Sequence, residues 1–101
     1  MAKHDFSDLW GYYPDIIQQM PDAFASHQFI LELACQHQQL YVEALHAYRD
    51  AIHRGKNAPF RVVHQILARH LHGYADFDGW AYPSTDIFGH AQRCGKWRRR
   101  P

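Results

Sequence analysis

The chain has 101 residues, with 11 Lys and Arg against 10 Asp and Glu, which allows one domain and a modest core. No apolar run is long enough to span a bilayer, and the opening Met-Ala-Lys-His-Asp lacks the apolar segment of a signal peptide. Cys35 and Cys94 are too few for a disulfide framework and fit a reducing compartment, so the expected location is cytoplasmic.

Charge is balanced in total but not along the chain. Residues 1–50 hold seven acids and two bases, whereas residues 51–101 hold three acids and nine bases. Such asymmetry suits a polyanionic partner for the basic half, or neutralisation of one half by the other within a molecule or across a dimer.

Residues 1–25 are irregular apart from a short helix from Pro14 to Met20, which Pro21 prevents from continuing. Trp10, Tyr13, Ile16, Ile17 and Met20 share one face, which is expected to pack as core.

The stretch 26–55 predicts one long helix. Ile30, Leu33, Ala34, Tyr41, Ala44, Leu45, Tyr48 and Ile52 recur in steps of three and four, interrupted only at His37. Ser26 suits the N-cap and Gly55 the left-handed position after the last turn. About 28 helical residues would span roughly 42 Å, long for a domain whose radius of gyration should be near 13 Å, roughly. Either the helix breaks in the polar run Gln36 to Gln39, or a second subunit covers its excess apolar length. The periodicity favours an unbroken helix and, with it, a homodimer.

A second helix is expected over 57–73, with Pro59 in its first turn, Phe60, Val63, Leu67 and Leu71 on its inner face, and Gly73 as its stop. The short connection makes it an antiparallel partner of the long helix. Ala75 to Pro83 reads as a loop tied down by Phe77, Trp80 and Tyr82. A last helix over 84–97 follows, although Gly89 and Gly95 would each weaken it by about 1 kcal/mol. Residues 98–101 end the chain as a frayed basic tail. The expected fold is therefore all-α: a single domain, residues 1–101, as a small helical bundle on one long central helix with short flanking helices.

Candidate chemistry is sparse. His90 and Cys94 stand four apart, with His70, His72, Cys35 and His37 as possible companions. The paired spacings of zinc sites are missing, so neither metal nor cofactor is expected. Asp86, His90 and Cys94 would form a row on one helix, but a single exposed helix encloses no pocket, and no enzyme is expected. Gly89 to Lys96 fails as a phosphate loop, because its glycine spacing is one residue too long and Trp97 stands where Ser or Thr is needed.

Two functional readings follow. The first is a non-enzymatic protein–protein interaction module, self-associating through the long helix or engaging another protein. The alternative is nucleic-acid binding by Arg93, Lys96, Trp97, Arg98 and Arg99, supported by Arg61 and Arg69 on the second helix. Basic side chains neutralise phosphates and an interleaved indole stacks on a base.

Overall fold

The computed structural model describes residues 4–85 and 88–100. Helices α1 (Ser7–Trp10) and α2 (Tyr13–Gln19) lead through strand β1 (Ala23–Ala25) into α3 (Ser26–Gln36) and α4 (Gln38–Ala47). A two-strand hairpin, β2 (Ile52–His53) and β3 (Lys56–Asn57), precedes α5 (Pro59–His70) and a 3-10 turn, Leu71–Gly73. The chain closes with β4 (Ala75–Thr85) and β5 (Ala91–Arg99). The strands β1, β5 and β4 form an antiparallel sheet with β5 in the middle. The fold is thus helices with an antiparallel sheet, and the all-α expectation is wrong.

The long helix is wrong in two places. At His37 the backbone leaves the helical region, with φ −131° and ψ 56°. The break strands little, because His37 N–H donates to Leu33 O and His37 O accepts from Tyr41 N–H, both at 3.0 Å. The His37 ring stacks on Tyr12 with centroids 3.8 Å apart. Bending there keeps both helices inside a molecule whose longest extent is 38 Å. Of the apolar stripe that suggested a dimer, Ile30, Leu33, Ala34, Tyr41 and Ala44 are buried within one chain, Leu45 and Tyr48 are half-buried, and Ile52 is exposed.

Helix α4 then stops at Ala47 rather than running to Gly55. Arg54 (φ 52°) and Gly55 (φ 77°) are the two loop residues of the β2–β3 hairpin. Two consecutive positive φ values are what a type I′ turn needs to match strand twist. A left-handed residue with a Cβ costs about 1–2 kcal/mol, and Arg54 is the non-glycine residue that adopts one among those described.

The last helix is wrong as well, since residues 91–99 are strand and Arg98 and Arg99 belong to the ladder rather than to a frayed tail. The glycines that weakened the helix have specific work in the sheet. Gly89 takes φ 84° in the β4–β5 connection. Gly95 permits close approach, since a Cβ there would lie 3.0 Å from Trp97 Nε1 and 3.1 Å from Ser26 Oγ. That approach forms a buried knot: Trp97 Nε1 donates to Ser26 Oγ at 2.8 Å, and Ser26 Oγ donates to Gly95 O at 3.3 Å. Ser26 therefore does not cap α3. The Gln28 side chain caps it instead, accepting from Ala25 N–H at 2.8 Å.

Strand β4 slips register between Phe77 and Trp80, and again between Ala81 and Ser84. In a regular strand, residues three apart point to opposite faces. The extra residue at Asp78–Gly79, with Gly79 at φ 91°, restores Phe77 and Trp80 to one face, where their rings meet at 5.4 Å. The core lies between this sheet and the helices, centred on Tyr13, Phe24, Phe29, Leu33, Val63, Leu67 and Trp97. Among the described residues, no helix is long and apolar enough to cross a membrane.

Candidate functional site

A cleft of about 680 Å³ opens between α5, the N-terminal end of α3 and the β4–β5 hairpin. Its helical wall is one face of α5, which presents Phe60, Arg61, His64, Gln65, Ala68 and Arg69. Residues at spacings of three, four, seven and eight share a helix face, so the pattern that buries Val63 and Leu67 inward turns these toward the opening. The opposite wall is Trp80, Phe88, His90 and Arg93, and the floor includes Ser26, His27, Cys94 and Gly95.

Three features set the chemistry of this cleft. Its lining carries Arg61, Arg69 and Arg93, and no Asp or Glu among the described residues. Large rings face solvent at its mouth: Trp80 is 60% exposed, Phe88 50% and Phe60 42%. Those rings are ordered by contacts, with Phe60 edge-on to Phe88 at 4.6 Å and the Arg93 guanidinium 5.0 Å from the Trp80 ring centre. The Trp80 position depends on its neighbours in the ladder, since it lies opposite Gly95, which has no side chain to displace it.

Polar contacts brace the cleft from below. His64 Nε2 lies 2.6 Å from Tyr41 OH, whose acidity burial suppresses, pushing it up to about 12. Ser84 Oγ sits between His27 Nδ1 at 3.1 Å and the Cys94 thiol, which donates to it at 3.4 Å. Cys94 is thus engaged by Ser84 from a strand. Cys94 does not stand on a helix with His90, because residues 91–99 are strand, and Asp86, the third member of the expected row, lies outside the described residues. Cys35 and Cys94 are free thiols, and no group of three His, Cys, Asp or Glu among the described residues converges to hold a metal ion.

The arginines expected from the sequence to bind anions, Arg61, Arg69, Arg93, Arg98 and Arg99, separate into two groups, the second joined by Arg100. Arg61, Arg69 and Arg93 converge on the cleft. Arg98, Arg99 and Arg100 lie at the far end of β5, and each meets an aspartate: Asp78 at 3.0 Å, Asp22 at 2.6 Å and Asp76 at 3.0 Å. Arg99 also donates to Gln18 O, and Arg100 to the carbonyls of His72, Gly73 and Ala75. The hydrogen bond from Arg99, then its charge, hold the Asp22 carboxyl below the usual range. Trp97 is 2% exposed and presents no free ring face. Lys96 is exposed on the sheet face opposite Trp97.

The cleft rings escaped the sequence reading. Phe60 carries the spacing of a core residue, and Trp80 falls in a segment without helical periodicity. One signal was present: from Ala51 to Ala75 the chain has no acid at all. No protein family, no curated protein and no solved structure matches this chain, so the chemistry of the cleft is the ground on which a function is assigned.

Proposed function

We propose that this protein binds nucleic acid through the cleft, with Arg61, Arg69 and Arg93 on phosphates and Trp80 and Phe60 stacking on bases. One observation carries the proposal: three arginines without an acidic partner among the described residues share a concave site with solvent-facing aromatic rings. Guanidinium groups neutralise phosphates and displace counterions, and every base offers a face to an exposed indole or phenyl ring. The self-associating module ranks second, since Ile30, Leu33, Ala34, Tyr41 and Ala44 of the stripe behind it are buried within one chain and only its C-terminal member Ile52 is exposed. Two free thiols suit a reducing compartment, and we place the protein in the cytosol.

The test is binding to a labelled single-stranded oligonucleotide at about 50 and 200 mM salt, for the native chain and for Arg61→Ala/Arg69→Ala/Arg93→Ala. Three phosphate contacts on a single strand give a log–log salt slope near −2, so the native chain should weaken about 18-fold across that range. The triple variant should bind weakly and lose most of that slope while unfolding at the same temperature. Equal binding by the variant refutes the cleft as the site.

A further inference from the structure

We infer that the ligand is a single strand that continues out of the cleft over the β2–β3 hairpin, where Arg54 and Lys56 hold its phosphates. This rests on the nucleic-acid reading of the cleft and extends it to residues that reading does not use.

The hairpin is continuous with the cleft. Asn57 lines the opening, and Ala58 N–H donates to Ala51 O at 2.8 Å, which ties the hairpin to the start of α5. Partial desolvation, then the charges of Arg61 and Arg54, hold the His53 imidazole below its usual range, so the same basic field spans both elements. The charge is also of one sign. Arg54 and Lys56 are exposed and meet no acid among the described residues, while the nearby Asp50 pairs with Arg49 at 3.8 Å. Along α5, Arg61 and Arg69 stand about 12 Å apart at 1.5 Å per residue, with Arg61 in the first turn of the helix, next to the hairpin in the chain.

The turn itself supplies an independent sign. Its first loop position has φ 52°, where Gly, Asn or Asp would sit without strain, yet it holds a long cation at an exposed tip. A strained residue kept at an exposed, charged position points to use of its side chain. The ligand is single-stranded because Trp80 and Phe60 lie in a concave site and need base faces, which a duplex covers by its own stacking.

The experiment compares labelled single strands of about 3, 6 and 12 nucleotides, and a duplex of the longest, spanning the usual site sizes of such proteins. The variant is Arg54→Gly/Lys56→Gln, in which glycine accepts the positive φ and keeps the turn. The native chain should bind more tightly as the strand lengthens. The variant should match it on the shortest strand, lose most of the gain on the longest, and show a salt slope reduced by about 1.4 for two phosphates. A variant that keeps the full length dependence overturns the hairpin track and leaves the cleft reading standing. A duplex bound more tightly than its own single strand overturns the choice of ligand. A native chain that binds no strand at low salt overturns both.

Discussion

The cleft and the C-terminal end of β5 hold three arginines each, and only one of the two sets is open to a partner. At the strand end, Arg98 and Arg100 pair with Asp78 and Asp76 of β4, Arg99 fastens the sheet to Asp22 in the turn before β1, and Arg100 also holds the carbonyls of His72 and Gly73 in the turn after α5. In the cleft, Arg61, Arg69 and Arg93 line the opening together with exposed aromatic rings, and Arg93 lies over Trp80. The tryptophans beside these two sets divide in the same way, Trp97 at 2% exposure and Trp80 at 60%. A run of basic residues around an indole thus describes a structural clasp, and the dispersed set lines the cleft for which binding is proposed. What separates them is whether the fold supplies aspartates, which the number of positive charges does not reveal.

The largest effect should come from the tryptophans. Trp97→Ala removes a buried ring and frees Ser26 of its donor, and should cost about 3–5 kcal/mol in urea unfolding. Trp80→Ala should change stability by no more than about 0.5 kcal/mol. Its effect should appear in binding, as roughly a tenfold loss of affinity for a single strand, the lower part of the usual range for a stacked base. If Trp80→Ala unfolds the protein as readily as Trp97→Ala, the division between clasp and site fails.

A smaller effect should come from releasing the clasped arginines. Asp76→Asn with Asp78→Asn leaves Arg100 and Arg98 without their carboxylates. Because these pairs are solvent-exposed, the stability loss should be at most about 1 kcal/mol for each. The freed charges should then create salt-sensitive binding in the Arg61→Ala/Arg69→Ala/Arg93→Ala background, where little is otherwise expected. No gain in that background would mean that pairing is not what keeps the strand end silent.

Periodicity made some of this legible and misled elsewhere. The apolar spacing from Ile30 to Ala44 marked helix correctly, since α3 and α4 bury that stripe. The interruption at His37 marked the break, but the stripe outweighed it, because both helices keep one period and the backbone bonds run on around the bend. Residues 91–99 were harder. Their strand state comes from pairing on both sides with segments far away in sequence, β1 and β4. Local spacing carries no trace of those partners. Arg61 and Arg69 were visible as exposed bases on a helix. Arg93 was placed by the wrong element, and the cleft joining all three exists only once β4 and β5 are paired.

The smallest effect tests where clasp and site are joined. Gly79 sits between Asp78, which holds Arg98, and Trp80, which faces the cleft, and its φ of 91° creates the bulge that aims both. A Cβ there would touch nothing within 4 Å, so Gly79→Ala acts through the backbone alone. Holding alanine at positive φ should cost about 1 kcal/mol. Relaxing that strain by removing the bulge would turn Trp80 away from Phe77 and from the cleft. The variant should therefore lose a little stability and several-fold in affinity together, and Gly79→Asn should recover part of both, since asparagine tolerates the left-handed region. A stability loss without any change in binding would show that the bulge serves the clasp only, and that Trp80 owes its position to Gly95 and Arg93 instead.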